Sequence, residues 1–377
     1  MKRMATSIGL AIAAIVVLLL VLEGVLRATH LFGARRSWTE PDSSIGWRFT
    51  ANRGYWHFKE NDHAITGRIN SLGWRDFERA RGKPEGAYRI VAMGDSYVEA
   101  FQVELESTFV AIAERELNDR FERPVEVMNL GRSGMTQVEE LIALERDVLA
   151  LEPDLIVLLF VPRNDIADVN PQTADELTRP FVRVSAKGEL QFDSSFVESS
   201  RFRTQRRINA FKQHSALMSL LAERYNAWRL SRRRAAVVPE TEGAAVNLAG
   251  AFSLCTQSPD SVYLTDYRLC KRLMSQMAGS AAGRGARLLL MSVPLVYRSE
   301  DTARYRDLDA TFDPGYFDRD LAAMADSTEG IDFLPLQAAF ERRYQETGKP
   351  LYWAHWNYAG HRLAGELLAG RVAEELQ

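Results

Sequence analysis

Cysteine is scarce: Cys255 and Cys270 are the only two in 377 residues. That excludes a disulfide-built scaffold and a cysteine-rich zinc site, both of which need more thiols. Positive charge is not in excess either. Lys and Arg number 47 against 50 Asp and Glu, a net charge of -3, whereas a chain that grips nucleic acid by neutralising phosphates is usually basic. No nucleic-acid partner is expected. With 24 glycines and 13 prolines, a collagen-like chain is excluded. No HExxH-type metal-ligand cluster occurs either. What the chain does have is apolar material. Hydrophobic residues make up 46% and charged residues 26%, which suits a folded globular protein and excludes a mainly disordered one. The length allows two to three domains at about 150 residues each.

One hydrophobic run departs from the globular pattern. From Met4 to Leu22 no residue is charged, and IGLAIAAIVVLLLVL inside it is almost wholly aliphatic. As a helix rising ~1.5 Å per residue it covers roughly 28 Å, close to the ~30 Å hydrocarbon thickness of a bilayer. Lys2 and Arg3 precede it, as the positive-inside tendency asks of a cytoplasmic N-terminus. Arg27, Arg35 and Arg36 follow it and weaken that bias without reversing it. A cleaved signal peptide is the competing reading, but the run is long and no A-x-A site follows. Residues 1–36 are therefore expected to be a retained single-pass signal anchor, and 37–377 to lie outside the cytoplasm. In a Gram-negative bacterium that means an inner-membrane anchor and a periplasmic body. Disulfides persist in such a compartment, which makes Cys255 and Cys270 a candidate pair; two buried free thiols are the alternative.

After a lead-in over 37–87, the sequence alternates. Strands are predicted at Tyr88–Met93, Val125–Leu130, Asp154–Val161, Ala286–Val293 and Ile331–Leu336. Helices are predicted at Thr108–Phe121, Gln137–Leu151, Tyr316–Ala325, Gln337–Tyr344 and Tyr358–Glu375. DLIVLLFV, apolar after its first residue, reads as a central parallel strand buried on both faces. Five strands with interleaved helices argue for one doubly wound α/β sheet with helices on both faces. An insertion at about 170–265 is too long for a loop. It is expected to be mostly helical, with one helix over Phe202–Leu230, then Arg232, Arg233 and Arg234 and a linker-like stretch. The arginine run reads as a solvated helix end, with anionic lipid or polysaccharide as the alternative.

Ligands in an open α/β sheet bind outside the carboxyl ends of the strands. Gly94-Asp95-Ser96 ends the first strand, and Asn129-Leu130-Gly131-Arg132-Ser133-Gly134 the second. Pro162-Arg163-Asn164-Asp165 ends the third, and Ala354-His355-Trp356-Asn357 precedes the last helix. Each has an ordinary reading alone: a turn, a βα loop, a helix cap, a packed histidine. Their order and placement together point to one site. A serine hydroxyl is a poor nucleophile until a base takes its proton, and imidazole titrates near neutral pH. The oxyanion formed on attack needs preorganised donors, which backbone amides and an asparagine side chain supply.

With VAMGDSYVEAFQV, NLGRSGMT, VPRND and AHWNYAGH in that order, the chain resembles the SGNH, or GDSL, hydrolases. The likeness covers about Tyr88 to Glu375 apart from the insertion, and extends weakly upstream through RINSLGWRD. It implies a flavodoxin-like sheet of about five parallel strands and an SGNH domain over 88–377. It also implies Ser96 as nucleophile, Gly134 and Asn164 in the oxyanion hole, His355 as general base, and no metal or organic cofactor. His361, six residues past His355, is expected to pack or cap inside the final helix.

One departure stands out. Members of that family usually carry an aspartate two or three residues before the histidine; here Tyr352 and Trp353 occupy those positions. Asp332 begins a strand at the wrong end of the sheet. A Ser96–His355 dyad, with a backbone carbonyl holding the imidazole, is therefore expected. The expected function is a membrane-anchored extracytoplasmic esterase acting on small acyl esters, with O-acetylated cell-surface glycans as the leading substrates. An O-acetyltransferase using the same serine and a catalytically silent glycan-binding protein are the alternatives.

Overall fold

The computed structural model describes residues 2–29, 31, 37–57, 60, 63–185, 187–222, 224, 225, 228 and 247–377. The arginine run 232–234, residues 235–246 of the linker-like stretch, and Arg35 and Arg36 lie outside the described residues.

Helix α1 (Lys2–Thr29) leads the chain, and its span from Met4 to Thr29 is long and apolar enough to cross a membrane. Two antiparallel hairpins follow, β1 (Thr39–Asp42) with β2 (Gly46–Phe49) and β3 (Gly54–His57) with β4 (Ile65–Arg68). The central sheet is built from β5 (Tyr88–Gly94), β6 (Val125–Gly131), β7 (Leu155–Phe160), β10 (Arg287–Ser292) and β11 (Ile331–Leu334), all parallel. Between β7 and β10 a third hairpin intervenes, β8 (Phe181–Val184) with β9 (Leu190–Asp193). The spatial order β6-β5-β7-β10-β11 places the first central strand between the second and third. This is the flavodoxin-like order, with its switch point at the C-terminal ends of β5 and β7.

Alternation along each strand divides the core in two. Ile90, Ala92, Val127, Val157 and Leu289 face one side; Val91, Met93, Met128, Ile156 and Leu288 face the other. Helices α3 (Phe109–Arg120), α10 (Gln337–Thr347) and α11 (Tyr358–Leu376) cover the first face. The second is covered by α4 (Gln137–Ala143), α7 (Ser261–Ala282) and α9 (Tyr316–Ser327). The lead-in joins this second core: Phe49, Tyr55, Ile65, Ile69 and Trp74 are buried in it beside Phe101. Arg75, fully buried, donates to Tyr55 Oη at 3.0 Å and to the carbonyls of Glu99 and Val103 at 2.8 and 2.6 Å.

The insertion differs from expectation. In place of one helix over 202–230, α6 (Ser200–Lys212) ends at a turn and helix resumes at 216–222. Ser215 starts the second helix, its Oγ accepting from Met218 N at 3.0 Å, as serine does at helix N-termini. Gln213 between them donates through its side chain to Glu40 at 2.9 Å. Cys255 and Cys270 are both free and buried, so the candidate disulfide is not formed. Burial pushes the Cys255 thiol up to about 12.

Candidate active site

β5 delivers Ser96 into a short helix, α2 (Ser96–Glu99), capped by Asp95, whose Oδ1 accepts from Tyr97 N at 2.9 Å. Ala100 ends α2 in the left-handed region at φ 54°. This tight strand-to-helix turn leaves Ser96 partly exposed at the sheet's C-terminal edge while Tyr97, Val98 and Glu99 are buried. Gly131 makes the packing possible: a Cβ there would stand 2.3 Å from Glu99 N. Asn129 completes the seat, donating to Val98 O at 2.7 Å.

His355 arrives from the other end of the chain. The loop before α11 folds on itself, with Trp353 N donating to His355 O at 2.8 Å and Tyr352 bridging to Trp356. Trp356 is fully buried against Phe109, Tyr97 and Phe340. Burying a side chain of that kind is worth roughly 1.5–3 kcal/mol or more, and it anchors the neighbouring histidine. His355 Nε2 lies 2.8 Å from Ser96 Oγ.

The other imidazole nitrogen overturns the dyad. His355 Nδ1 is 2.7 Å from Glu60 Oε1, and the His355 backbone N–H donates to Glu60 Oε2 at 2.9 Å. Both carboxylate oxygens thus hold one residue, fixing its position and ring together. Glu60 sits in the connection between β3 and β4, 295 residues from His355. His63, shortly before β4, is tied to the histidine's own neighbourhood. His63 Nε2 lies 2.9 Å from Glu104 Oε1, and Tyr358 Oη donates to Glu104 Oε2 at 2.6 Å. No spacing rule reaches from residue 60 to residue 355; the one signal upstream was RINSLGWRD, whose Arg75 ties the lead-in to α2.

The electrostatics follow from the pairing. Burial works to lower the His355 pKa, but the hydrogen bond and charge of Glu60 outweigh it and the net direction is up. Burial works to raise the Glu60 carboxyl, and the same His355 contacts bring it down instead. With Nδ1–H donated to the carboxylate, Nε2 is left as the acceptor for the Ser96 hydroxyl proton.

Asn164, partly exposed on α5 (Pro162–Asp168), donates through Nδ2 to Asp95 Oδ2 at 2.9 Å. One of its two amide hydrogens is thereby fixed, and the other has a set direction. Asp95 is fully buried, and burial raises its carboxyl against the hydrogen bonds that lower it. Sequence reasoning assigned Asp95 no role; it caps the helix of the serine and orients the asparagine. Gly134 stands at φ +72° with open space where a Cβ would be, and its carbonyl accepts from Arg179 at 2.6 Å. His361 is fully buried, stacked on Phe109 and 3.1 Å from Gln102 Nε2; burial lowers its pKa to about 3. Asp332 is on β11 and pairs with Arg287 and Arg371 at 3.2 and 3.5 Å.

No known family model matches the chain, and no curated protein matches it. Solved structures similar to it include LAE5, an alpha/beta hydrolase from the metagenome of Lake Arreo, Spain. That match has 17% identity and a TM-score of 0.39, covering 75% of this chain and 95% of the other. Axe2, an acetylxylan esterase from Geobacillus stearothermophilus, has 14% identity and a TM-score of 0.40, covering 76% and 94%. TesA has 14% identity and a TM-score of 0.38, covering 76% and 98%. Likenesses of this size carry no information about chemistry, which rests on the residues themselves.

Proposed function

We propose that this chain is a serine esterase of the SGNH type, held on the outer face of a bacterial inner membrane by α1. The observation that carries the chemistry is the unbroken relay from Ser96 Oγ through His355 to the Glu60 carboxylate. In this reading His355 Nε2 takes the Ser96 proton as Oγ attacks an ester carbonyl. Glu60 holds the productive tautomer and stabilises the imidazolium that forms, as the carboxylate does in serine proteases. The oxyanion is met by the second Nδ2 hydrogen of Asn164 and the backbone amides of Ser96 and Gly134. Collapse expels the alcohol, protonated by His355, and leaves an acyl-serine that water cleaves by the same steps in reverse.

A silent binding cleft has no need of a nucleophile, base and orienting acid in register, so the relay counts against that alternative. The retained anchor is supported by contacts at the far end of α1, where Glu23 accepts from Ser215 Oγ, Ala216 N and Leu217 N at 2.8 to 3.0 Å. A leader destined for cleavage has no use for a fitted seat on the mature protein. From that position the esters within reach are those of the cell envelope, and small O-acyl groups on glycans are the proposed substrates.

A fluorophosphonate probe tests the reading. It should label the wild-type chain and not Ser96→Ala, and acetate should be released from an O-acetylated polysaccharide into water. Absence of labelling in folded wild-type protein would overturn the esterase reading; acetate passed to an added sugar in preference to water would make it a transferase.

A further inference from the structure

Among the described residues, the site uses nothing from the insertion between 200 and 228, yet that segment carries a surface that the fold leaves exposed. Met218 and Leu221 of the helix resuming at 216, and the helical residues Tyr225 and Trp228 beyond it, are spaced i, i+3, i+7 and i+10, and their exposures run from 42% to 60%. That spacing places them on one helical face. Tyr225 and Trp228 lie together there, with ring centroids 5.8 Å apart. Residues on the other side, Ala216, Leu217 and Leu220, pack against Leu26 of α1.

The segment is bracketed at its start. Towards the body, Ser37 N donates to Lys212 O at 3.2 Å, and Gln213 donates to Glu40. Towards the anchor, the Glu23 carboxylate takes the Ser215 hydroxyl and the Ala216 and Leu217 amides, and Arg27 Nη2 donates to His214 O. Glu23 is the first charged residue after the uncharged run that ends at Leu22. The helix at 216 therefore begins at the depth where α1 leaves the hydrocarbon. Tyrosine and tryptophan concentrate at that depth, with an apolar ring body in the acyl boundary and a polar group at the headgroups. A helix with a one-sided apolar face lies in the plane of the interface, about 5–10 Å into it.

We propose that the face of Met218, Leu221, Tyr225 and Trp228 binds the phospholipid bilayer beside α1. It is a second, interfacial attachment, which the Glu23 bracket holds in place. This rests on the reading of α1 as a retained anchor. Its consequence is mechanical: one transmembrane helix leaves a body free to swing, whereas two attached elements joined by a bracket fix how the lead-in, and with it Glu60 and the site, stands above the membrane.

The test uses the full chain, one copy per nanodisc of phosphatidylethanolamine and phosphatidylglycerol, with an NBD label on an introduced cysteine. The native thiols are buried and stay unlabelled. Leu221→Cys reports the proposed face, Leu18→Cys the anchor, and Gln345→Cys a solvent position on α10, across the sheet from the lead-in. Phosphatidylcholine brominated near the headgroup should quench the label at 221, bromine near the chain end should quench it less, and the label at 345 should be unaffected. Adding Glu23→Ala should reduce quenching at 221 and leave that at 18 unchanged; unchanged quenching at 221 would overturn the bracket. Quenching at 18 with none at 221 would overturn the interfacial helix while the anchor stands. Quenching at neither would overturn the anchor and this inference with it. A blue-shifted label at 221 without bromine quenching, seen only when discs hold two copies, would assign the face to a second copy and overturn the lipid.

Discussion

At the scale of single residues, Glu60 sets the protonation of His355. Because its contacts raise the His355 pKa, the imidazole stays protonated to a higher pH than an ordinary histidine of 6.5. Only the neutral ring accepts the serine proton, so kcat/KM should rise with pH through an inflection above 6.5. Glu60→Gln should move that inflection down and lower kcat by about 10²–10⁴-fold, the upper end being the cost of the equivalent change in a serine protease. A pH–rate profile of the folded variant measures both effects, and an unmoved inflection would remove Glu60 from the relay. Ser96→Ala and His355→Ala should each abolish turnover. Asn164→Ala should cost about 10² or more in kcat with the fold intact, measured on an activated acetate ester.

Elements make their own demands on the site. α2 sits against β6 through the missing side chain of Gly131, where a Cβ would meet Glu99 N at 2.3 Å and Val98 backbone carbon at 2.6 Å. Neither contact is the movable end of a side chain, so Gly131→Ala must push α2 off β6 and shift Ser96 with it. It should lower kcat and melting temperature together, whereas Gly134→Ala, facing open space at φ +72°, should strain only the backbone. Glu99 on α2 gives a pH signature. Burial raises its carboxyl from 4.5 to about 7, so the folded state keeps a proton that the unfolded chain releases from about 4.5 upward. The stabilising proton is lost as pH rises through that window, by an amount on the order of 3 kcal/mol at most. Glu99→Gln should therefore gain stability over wild type between pH 5 and pH 8, read as the difference in melting temperature at the two values.

For the whole molecule, the lead-in is a structural part of the folded body and not a tether. A chain beginning at Tyr88 loses Glu60, Arg75 and the hairpins that cover Phe101, and should neither fold stably nor turn over ester. One beginning at Ser37 keeps the relay and both cores and should remain active in solution. Topology is checked in cells: protease added to spheroplasts should digest the body while the intact protein fractionates with membranes. A soluble periplasmic form starting after the apolar run would show that α1 is removed.

Much of this protein was legible in the chain alone, where the relevant physics is local. Alternation and apolar runs marked all five central strands, because a buried strand needs its pattern within about six residues. Ser96 and Asn164 could be placed because each follows a strand, and His355 because it precedes a helix, so chain order alone carried them to one sheet edge. Other features needed the tertiary structure. Glu60 lies between β3 and β4 in a stretch of sequence with no periodicity, and only the packing of Tyr55, Ile65 and Trp74 onto the sheet brings it to His355. The break at Gln213–Ser215 was hidden because no Gly or Pro interrupts Phe202–Leu230; Glu40 and Glu23, distant in sequence, bind the polar groups on either side of the turn. The cysteines, fifteen apart in sequence, stay unpaired because each is buried at its own place in one core. Spacing along a chain determines periodic structure, but whether two distant side chains meet depends on what is buried between them.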